Sequence, residues 1–190
     1  MPSVLFVCSA NRFRSPLAEA FFEQALAKEE KERKCLWSIG KAASWEVASA
    51  GLRAARLQPV LPDVLEAGRQ LGIDLSGHQS QRVQDLELSD FDLILVMQEE
   101  QKQVLLADYP DLREHIYLLS QALENDTYDF PDTYGSPRGV RGVGDVLCEL
   151  IQRYMCNICV LAIALHNQRN EALPDPAIDT DADPVPGPAG

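Results

Sequence analysis

A cysteine and an arginine near the start of the chain have the spacing needed to bind a phosphate group and attack it. Cys8 follows a short apolar run, and Arg14 stands directly before Ser15 and Pro16, two residues typical of a helix N-terminus. A loop between a strand end and a helix start presents backbone N–H groups to an anion and lowers the pKa of a thiol placed there. An arginine in the same loop can hold a tetrahedral dianion through two parallel hydrogen bonds. This pattern predicts a cysteine-dependent phosphate-ester hydrolase.

The rest of the chain predicts alternating strands and helices that would hold this loop in place. Four short apolar runs are expected to be strands: residues 4–7, 46–50, 91–97 and 116–119. Helical spacing and breaker residues predict helices at residues 16–28, from Pro59 or Pro62 to Leu71, at 99–107 and at 144–167, with a loop at 128–144. This alternation favours an α/β fold with a parallel sheet and helices on both faces, whose ligands bind at the carboxyl ends of the strands.

The composition predicts one globular domain followed by an acidic tail. The chain has 190 residues, of which 46% are hydrophobic and 24% charged, and this suits a single domain with its own core. Its net charge of −12 argues against general binding to nucleic acid or to an anionic membrane. We expect the catalytic domain to span residues 1–168, and residues 169–190, rich in proline and acidic residues, to be disordered. Residues 35–44 are expected to be an insertion loop.

The five cysteines predict a reducing compartment rather than a disulfide framework. Their number is odd and no signal-peptide pattern precedes the first strand, so we expect a cytoplasmic protein with free thiols. Cys156 and Cys159 have the two-residue gap of zinc and redox motifs, but they lie in an apolar stretch, residues 154–165, without a second cysteine pair. We expect them to pack in the core. The stretch is too short to cross a membrane, and no metal or other cofactor is predicted.

Five stretches in the right order extend the pattern beyond the Cys-x5-Arg loop. They are Val-Leu-Phe-Val-Cys-Ser-Ala-Asn-Arg-Phe-Arg-Ser-Pro-Leu-Ala-Glu (4–19), Val-Ala-Ser-Ala-Gly (47–51), the loop 72–82, the strand 91–97 and Phe-Pro-Asp-Thr-Tyr-Gly (130–135). Together they resemble the low-molecular-weight protein tyrosine phosphatase family over residues 3–165. The resemblance implies a four-stranded parallel sheet of flavodoxin-like type. It also implies hydrolysis of phosphotyrosine through a phosphocysteine intermediate, without a cofactor.

The resemblance implies a role for each of the residues that would carry the chemistry. Cys8 would attack phosphorus, Arg14 would grip two phosphate oxygens, and Asp132 would protonate the leaving group and later activate water. Asp129 is a nearby alternative for that acid. Ser15 would hydrogen-bond the sulfur of Cys8, and it suits a plain helix cap equally well. Tyr134 would form one wall of the cleft, or would simply pack within its loop.

The phosphate loop itself is expected to bind phosphate through residues between the nucleophile and the arginine: Ser9, Ala10, Asn11, Arg12 and Phe13. Asn11 matches the family's loop asparagine, which holds a left-handed conformation. Ser49 and His78 stand where the family has residues that brace this asparagine. Serine and histidine are also common in surface loops, which is the alternative for both.

The chain departs from the family pattern at several positions around the expected site. Thr133 replaces the proline that follows the acid, so this loop is less rigid. Phe13 stands where many members carry a second cysteine, so the protective disulfide with the nucleophile cannot form. Ser9 and Ala10 replace a commoner Leu-Gly pair. Gln98 stands where the family usually shows aspartate, and residues 52–56 lack the aromatic wall of some members.

Two other functions compete with phosphotyrosine hydrolysis. An arsenate reductase on the same scaffold needs a relay pair of cysteines in the loop after the second helix, and no cysteine lies there. A non-catalytic phosphate or phosphopeptide binder would need neither the nucleophile nor the acid, yet both are present. The expected partners are phosphotyrosine proteins or small aryl phosphates, with phosphate, sulfate or vanadate as ligands. Neither nucleic acid nor membrane is expected as a partner.

Overall fold

The computed structural model describes residues 1–32 and 44–172. In these ranges the α-helices and strands are, in chain order, β1 (Ser3–Cys8), α1 (Arg14–Glu32), β2 (Glu46–Gly51), α2 (Pro62–Gln70), β3 (Leu93–Val96), α3 (Glu99–Asp108), β4 (Ile116–Leu118), α4 (Leu119–Glu124) and α5 (Pro137–Ala172). Nearly all of the expected insertion loop at 35–44, and residues 173–190 of the expected tail, lie outside the described residues.

The four strands form one parallel sheet in the order β2-β1-β3-β4. Phe6 of β1 pairs with Ser49 of β2 on one side and with Leu95 of β3 on the other. The chain leaves the carboxyl end of β1 at the point where successive strands are added on opposite sides, which is where such sheets bind ligands. The predicted four-stranded parallel sheet is confirmed, and its ligand-binding edge begins at Cys8.

Both faces of the sheet are covered, because alternate residues of each strand point to opposite sides. On β1, Val4 and Phe6 pack into the core formed with α1, α2, α4 and α5. Leu5 and Val7 pack into a second core, to which α3 contributes Leu105. Strands buried on both faces read as continuous apolar runs, which is why the sequence pattern located them.

The final helix begins earlier than the sequence pattern predicts. Glycines at 139, 142 and 144 suggested a loop up to residue 144, but α5 starts at Pro137. The hydroxyl of Ser136 accepts the N–H of Gly139 at 3.2 Å, and proline suits the first helical position because it has no N–H to satisfy. The predicted loop is therefore wrong from residue 137 onwards. Helix α4 was not predicted, because its six residues are too few to show a periodic pattern.

Helix α5 also ends later than predicted, at Ala172, so residues 169–172 belong to the folded domain and not to the tail. Between Gly139 and Glu171 it is long and apolar enough, by length and composition, to cross a membrane. The prediction that the apolar stretch 154–165 is too short to cross a membrane considered only part of this segment. One face of the helix is buried in the core, with buried residues at intervals of three and four: Val140, Val143, Leu147, Ile151, Met155, Ile158, Ala162 and Leu165.

The cysteines of α5 pack as predicted, but one of them is not a free thiol. Cys159 is fully buried in the core, where burial raises the pKa of its thiol to about 12. Cys156 packs against the same core and is disulfide-bonded. Cys8, Cys148 and Cys159 are free. The prediction of free thiols is therefore wrong for Cys156.

Candidate active site

The nucleophile candidate, Cys8, is the last residue of β1, and the five residues that follow it wrap into a loop before α1 begins at Arg14. Its side chain is almost fully buried. The sulfur accepts the backbone N–H of Asn11 at 3.3 Å and the hydroxyl of Ser15 at 3.0 Å. Two donors directed at one sulfur stabilise negative charge on it. The hydroxyl of Ser15 is thus placed to assist a thiolate, as the resemblance implies.

Asn11 is the structural centre of the phosphate loop. Its φ of 54° is left-handed, a conformation that asparagine tolerates better than most residues. Its fully buried amide donates to the hydroxyls of Ser15 at 3.0 Å and Ser49 at 2.7 Å, and accepts the N–H of Gln81 at 2.9 Å. The ring Nε2 of His78 lies 2.9 Å from the backbone oxygen of Asn11, and burial lowers the pKa of this histidine. A neutral ring donating from Nε2 satisfies this contact.

The bracing network continues to a glutamate that the sequence interpretation missed. The Ser49 hydroxyl donates to Oε2 of Glu19 at 2.5 Å, and burial raises the pKa of Glu19 to about 7. Glu19 lies four residues after Ser15 on α1, so both side chains occupy the same face of the helix. The i, i+4 spacing of Ser15 and Glu19 in the sequence could have indicated that Glu19 lies near the site. A titratable carboxyl is therefore connected to Cys8 through Ser49, Asn11 and Ser15.

Arg14 is 1% exposed and its guanidinium lies among three acceptors. Nη1 donates to Oε1 of Gln98 at 2.7 Å and to the backbone oxygen of Phe130 at 2.9 Å, and Nη2 donates to Oδ2 of Asp132 at 2.7 Å. The structure thus brings the expected acid to the expected phosphate clamp, although the two are 118 residues apart in the chain. It also shows that Gln98, noted only as a departure from the family, touches this arginine.

The two aspartates proposed as alternatives for the acid have different surroundings. Asp129 accepts the backbone N–H of Glu99 at 2.8 Å and so holds the first turn of α3. Asp132 contacts Arg14 and keeps about half of its side chain exposed. Tyr134, two residues on, is 66% exposed and its backbone N–H donates to Oδ1 of Asp132 at 3.3 Å. Tyr134 is therefore mostly exposed at the surface, and its backbone contacts the expected acid.

The remaining residues of the phosphate loop make different contacts through their backbones and side chains. Ser9 accepts the N–H of Arg53 through its backbone oxygen at 2.8 Å, and Ala10 is exposed. The Nε of Arg12 donates to the backbone oxygen of Pro59 at 2.7 Å. The Phe13 side chain is buried in the core, so of the predicted phosphate contacts it can contribute only those of its backbone. Within residues 1–32 and 44–172, no group of three or more potential metal ligands is assembled.

A buried thiol that accepts two hydrogen bonds follows a central strand of a parallel sheet, and a buried arginine paired with a carboxylate begins the next helix. This arrangement is typical of cysteine-dependent phosphatases of the α/β class. The family model described as "Low molecular weight phosphotyrosine protein phosphatase" matches residues 3–166. The chain belongs to this family.

Relatives and solved structures agree with this membership. The low molecular weight protein-tyrosine-phosphatase YfkJ of Bacillus subtilis is 30% identical over 154 residues, which are 80% of this chain and 90% of the relative. The structure of a YwlE mutant from Bacillus subtilis has a TM-score of 0.70 and 26% identity, with 87% of this chain and 99% of that chain covered. Vibrio vulnificus Wzb, solved in complex with benzylphosphonate, has a TM-score of 0.65 and 26% identity. The match covers 80% of this chain and 94% of the Wzb chain. A protein-arginine-phosphatase of Bacillus subtilis is 28% identical, with 79% of this chain and 92% of the relative covered. An arsenate reductase of Staphylococcus epidermidis is 24% identical, with 71% of this chain and 81% of the relative covered.

Proposed function

We propose that this protein hydrolyses aryl phosphate monoesters, and phosphotyrosine in proteins in particular, through a phosphocysteine intermediate. The observation that supports this most directly is the contact of Asp132 with Arg14, the residue that directly precedes the serine hydrogen-bonded to the sulfur of Cys8. This arrangement supplies a nucleophile, a clamp for the phosphate oxygens and an acid for the leaving group.

In the first step the Cys8 thiolate attacks phosphorus and forms an S–P bond as the bond from phosphorus to the aryl oxygen breaks. A phosphate held by Arg14 would replace Asp132 on the guanidinium. The released carboxylate would then take up a proton from solvent and give it to the leaving phenol oxygen. In the second step water attacks phosphorus, Asp132 takes a proton from it, and the Cys8 thiolate leaves. The Ser15 hydroxyl stabilises this thiolate in both steps.

The surface around the site suits an aromatic leaving group. Tyr134 stands exposed beside Asp132, where its ring can stack on the ring of a phosphotyrosine. The benzylphosphonate complex of Vibrio vulnificus Wzb contains a ligand with an aromatic ring and a phosphate-like group. Inorganic phosphate, sulfate and vanadate are expected to bind the same loop. From its odd number of cysteines and its net charge of −12, the protein is proposed to act in the cytoplasm, away from membrane and nucleic acid, on proteins or small phosphate esters.

The relatives supply two competing reactions. A protein-arginine-phosphatase cleaves a phosphorus–nitrogen bond, and arsenate reduction needs resolving thiols near the nucleophile. Of the other cysteines in the described residues, Cys148 and Cys159 lie on α5 and Cys156 is disulfide-bonded. None of them lies in the loop after α2, so phosphatase chemistry is better supported than arsenate reduction.

One assay tests the proposal against these alternatives. The purified protein is given, in separate reactions with EDTA present, a phosphotyrosine peptide, a phosphoarginine peptide, and arsenate with a thiol reductant. We expect the phosphotyrosine peptide to be hydrolysed fastest, with inhibition by vanadate. Cys8→Ser should abolish turnover and retain binding of inorganic phosphate. Preferential release of phosphate from the phosphoarginine peptide, or consumption of arsenate alone, would overturn the proposal.

A further inference from the structure

The segment that carries the proposed general acid is held on both sides of that residue. On one side, the backbone N–H of Phe130 donates to the backbone oxygen of Met97 at 2.9 Å, and the Phe130 side chain is buried in the core. On the other side, the backbone oxygen of Thr133 accepts the N–H of Ser136 at 3.2 Å. Asp132 lies between these two points, so the position of its carboxylate depends on how its immediate neighbours in the chain are packed.

The backbone of α5 approaches the residue after the acid so closely that only glycine fits at position 139. A Cβ added to Gly139 would lie 2.6 Å from the Cβ of Thr133, 3.0 Å from its Oγ1 and 3.3 Å from its backbone oxygen. Carbon atoms in contact are about 3.5–4.0 Å apart, and the Cβ of Thr133 cannot rotate away because it is bonded to the backbone. Any side chain at position 139 would therefore push Thr133, and with it Asp132, away from α5.

The stability of the helix and hydrogen bonding do not account for this contact. Gly139 lies in the first turn of α5, where alanine would favour the helix more than glycine does. The Thr133 hydroxyl is buried and has no hydrogen-bond partner among the described residues, so packing places this side chain. The threonine also stands where the family has a proline, whose ring would restrict the backbone next to the acid.

We infer that Thr133 and Gly139 are positioning residues for Asp132, and that their contact restricts the acid in place of the family's proline. The threonine side chain fills the space beside the helix that a Cβ of residue 139 would occupy. A general acid must come within hydrogen-bond reach of the leaving oxygen, and a shift of Thr133 would move the adjoining carboxylate out of that reach. This inference rests on the proposed phosphatase function and concerns the same site.

The test compares Gly139→Ala with Gly142→Ala, a change one turn further along α5. An added Cβ at Gly142 meets no heavy atom within 4 Å, so both variants gain an alanine in the same helix but only Gly139→Ala meets Thr133. Values of kcat/KM are measured for phenyl phosphate and for p-nitrophenyl phosphate. The departure of phenol depends on a proton from the acid more than the departure of the acidic p-nitrophenol does.

The two substrates should respond differently to Gly139→Ala. We expect kcat/KM to fall about 10- to 100-fold for phenyl phosphate and less than about fivefold for p-nitrophenyl phosphate, because the nucleophile and the arginine stay in place while the acid is displaced. For Gly142→Ala both values should stay within about twofold of the wild type. Equal losses with the two substrates, or a loss in Gly142→Ala that matches the loss in Gly139→Ala, would overturn the inference.

Removal of the Thr133 side chain provides a second comparison. In a Thr133→Gly background the methyl group introduced by Gly139→Ala has no Cβ to meet, so it should change kcat/KM for phenyl phosphate by less than about twofold. A merely structural effect of Gly139→Ala would persist in this background at full size, and that result would also count against the inference.

The proposed function fails separately. A wild-type protein that hydrolyses neither substrate would refute the phosphatase function, and the affinity for inorganic phosphate, measured by calorimetry, then decides the inference. A displaced Asp132 competes less for Arg14, so phosphate should bind about two- to fivefold more tightly to Gly139→Ala than to Gly142→Ala. Equal affinities of the two variants would contradict the proposed role of the contact.

Discussion

At the scale of single residues, the notable contact is between the proposed general acid, Asp132, and the arginine proposed to bind phosphate, Arg14. Asp132 is held on Nη2 of Arg14 at 2.7 Å, and the carboxylate is about half exposed while the arginine is buried. An anion arriving at the loop competes with this carboxylate for the same donor. In the proposed mechanism, binding of phosphate and release of Asp132 are therefore two parts of one exchange at Arg14.

Asp132→Asn tests both consequences of that exchange. We expect kcat for a phosphotyrosine peptide to fall about 10²- to 10⁴-fold, because the phenol oxygen leaves without a proton. The loss should be smaller for an aryl phosphate whose phenol is acidic, such as p-nitrophenol. Inorganic phosphate should bind more tightly, since an anion next to Arg14 has been removed. Asp129→Asn is the matched control, and its kcat should stay near that of the wild type, because Asp129 contacts the backbone of α3.

Glu19 makes stability depend on pH. Burial raises its pKa from 4.5 to about 7, so between these values the folded protein keeps a proton that the unfolded chain loses. Stability due to this group is therefore complete at low pH and falls as pH rises from about 4.5 to 7, by up to about 3 kcal/mol. Urea unfolding of Glu19→Gln should show a shallower fall than the wild type. Glu30→Gln, an exposed change on α1, should keep the wild-type slope, and a shared slope for all three proteins would contradict this account.

At the scale of elements, the end of β2 packs closely against the phosphate loop. A Cβ on Gly51 would lie 2.9 Å from the backbone carbon of Ala10 and 2.9 Å from the backbone nitrogen of Asn11. The neighbouring residues Leu52 and Arg53 donate their N–H groups to the backbone oxygens of Cys8 and Ser9. The strand therefore fixes the position of the loop through its backbone, and only glycine allows this approach.

Gly51→Ala should displace the phosphate loop, because the new methyl group meets the Cβ of Ala54 and two backbone atoms of the loop, none of which can rotate away. We expect a loss of about 1–3 kcal/mol in the free energy of unfolding, and kcat at least tenfold lower. Gly77→Ala is the control, since no heavy atom lies within 4 Å of its added Cβ. Chemical unfolding and phosphatase assays of both variants measure the effect. Similar activities for the two would show that the loop tolerates the contact.

The sequence predicts a contact of the site well when the two residues are close in the chain, and poorly when they are far apart. The strand, loop and helix around Cys8 are consecutive in the chain, and the residues typical of strand ends and helix starts predicted their positions. Ser49 and His78 could be matched to a family pattern one residue at a time. The contacts of Arg14 with Gln98 and Phe130 join segments more than 80 residues apart, so no local signal reveals them. The early start of α5 was missed because glycine usually opposes a helix, whereas here Gly139 makes room for the side chain of Thr133.

At the scale of the whole molecule, the two ends of the described domain meet at Asp92, at the edge of the sheet opposite to Cys8. Asp92 is fully buried and accepts the N–H of Ser3 at 2.9 Å and the hydroxyl of Ser3 at 3.0 Å. Nδ1 of His166 lies 3.0 Å from the same carboxylate. Nη2 of Arg169 lies 3.0 Å from its other oxygen, an ionic contact that is not aligned as a hydrogen bond. The last turn of α5 thereby completes the domain.

Two truncations separate this ionic contact from the acidic tail. Removal of residues 173–190 leaves Arg169 in place, so we expect the free energy of unfolding to change by less than about 0.5 kcal/mol. Removal of residues 169–190 leaves the buried carboxylate of Asp92 without its arginine, and a loss of about 1–3 kcal/mol is expected. Arg169→Met in the full chain should reproduce most of that loss, which attributes it to the charge and not to helix length. In all three proteins kcat should stay within about twofold of the wild type, because Asp92 and Cys8 lie at opposite ends of the sheet. If both truncations melt at the same temperature, the domain ends at residue 168, and the contact of Arg169 with Asp92 does not contribute to stability.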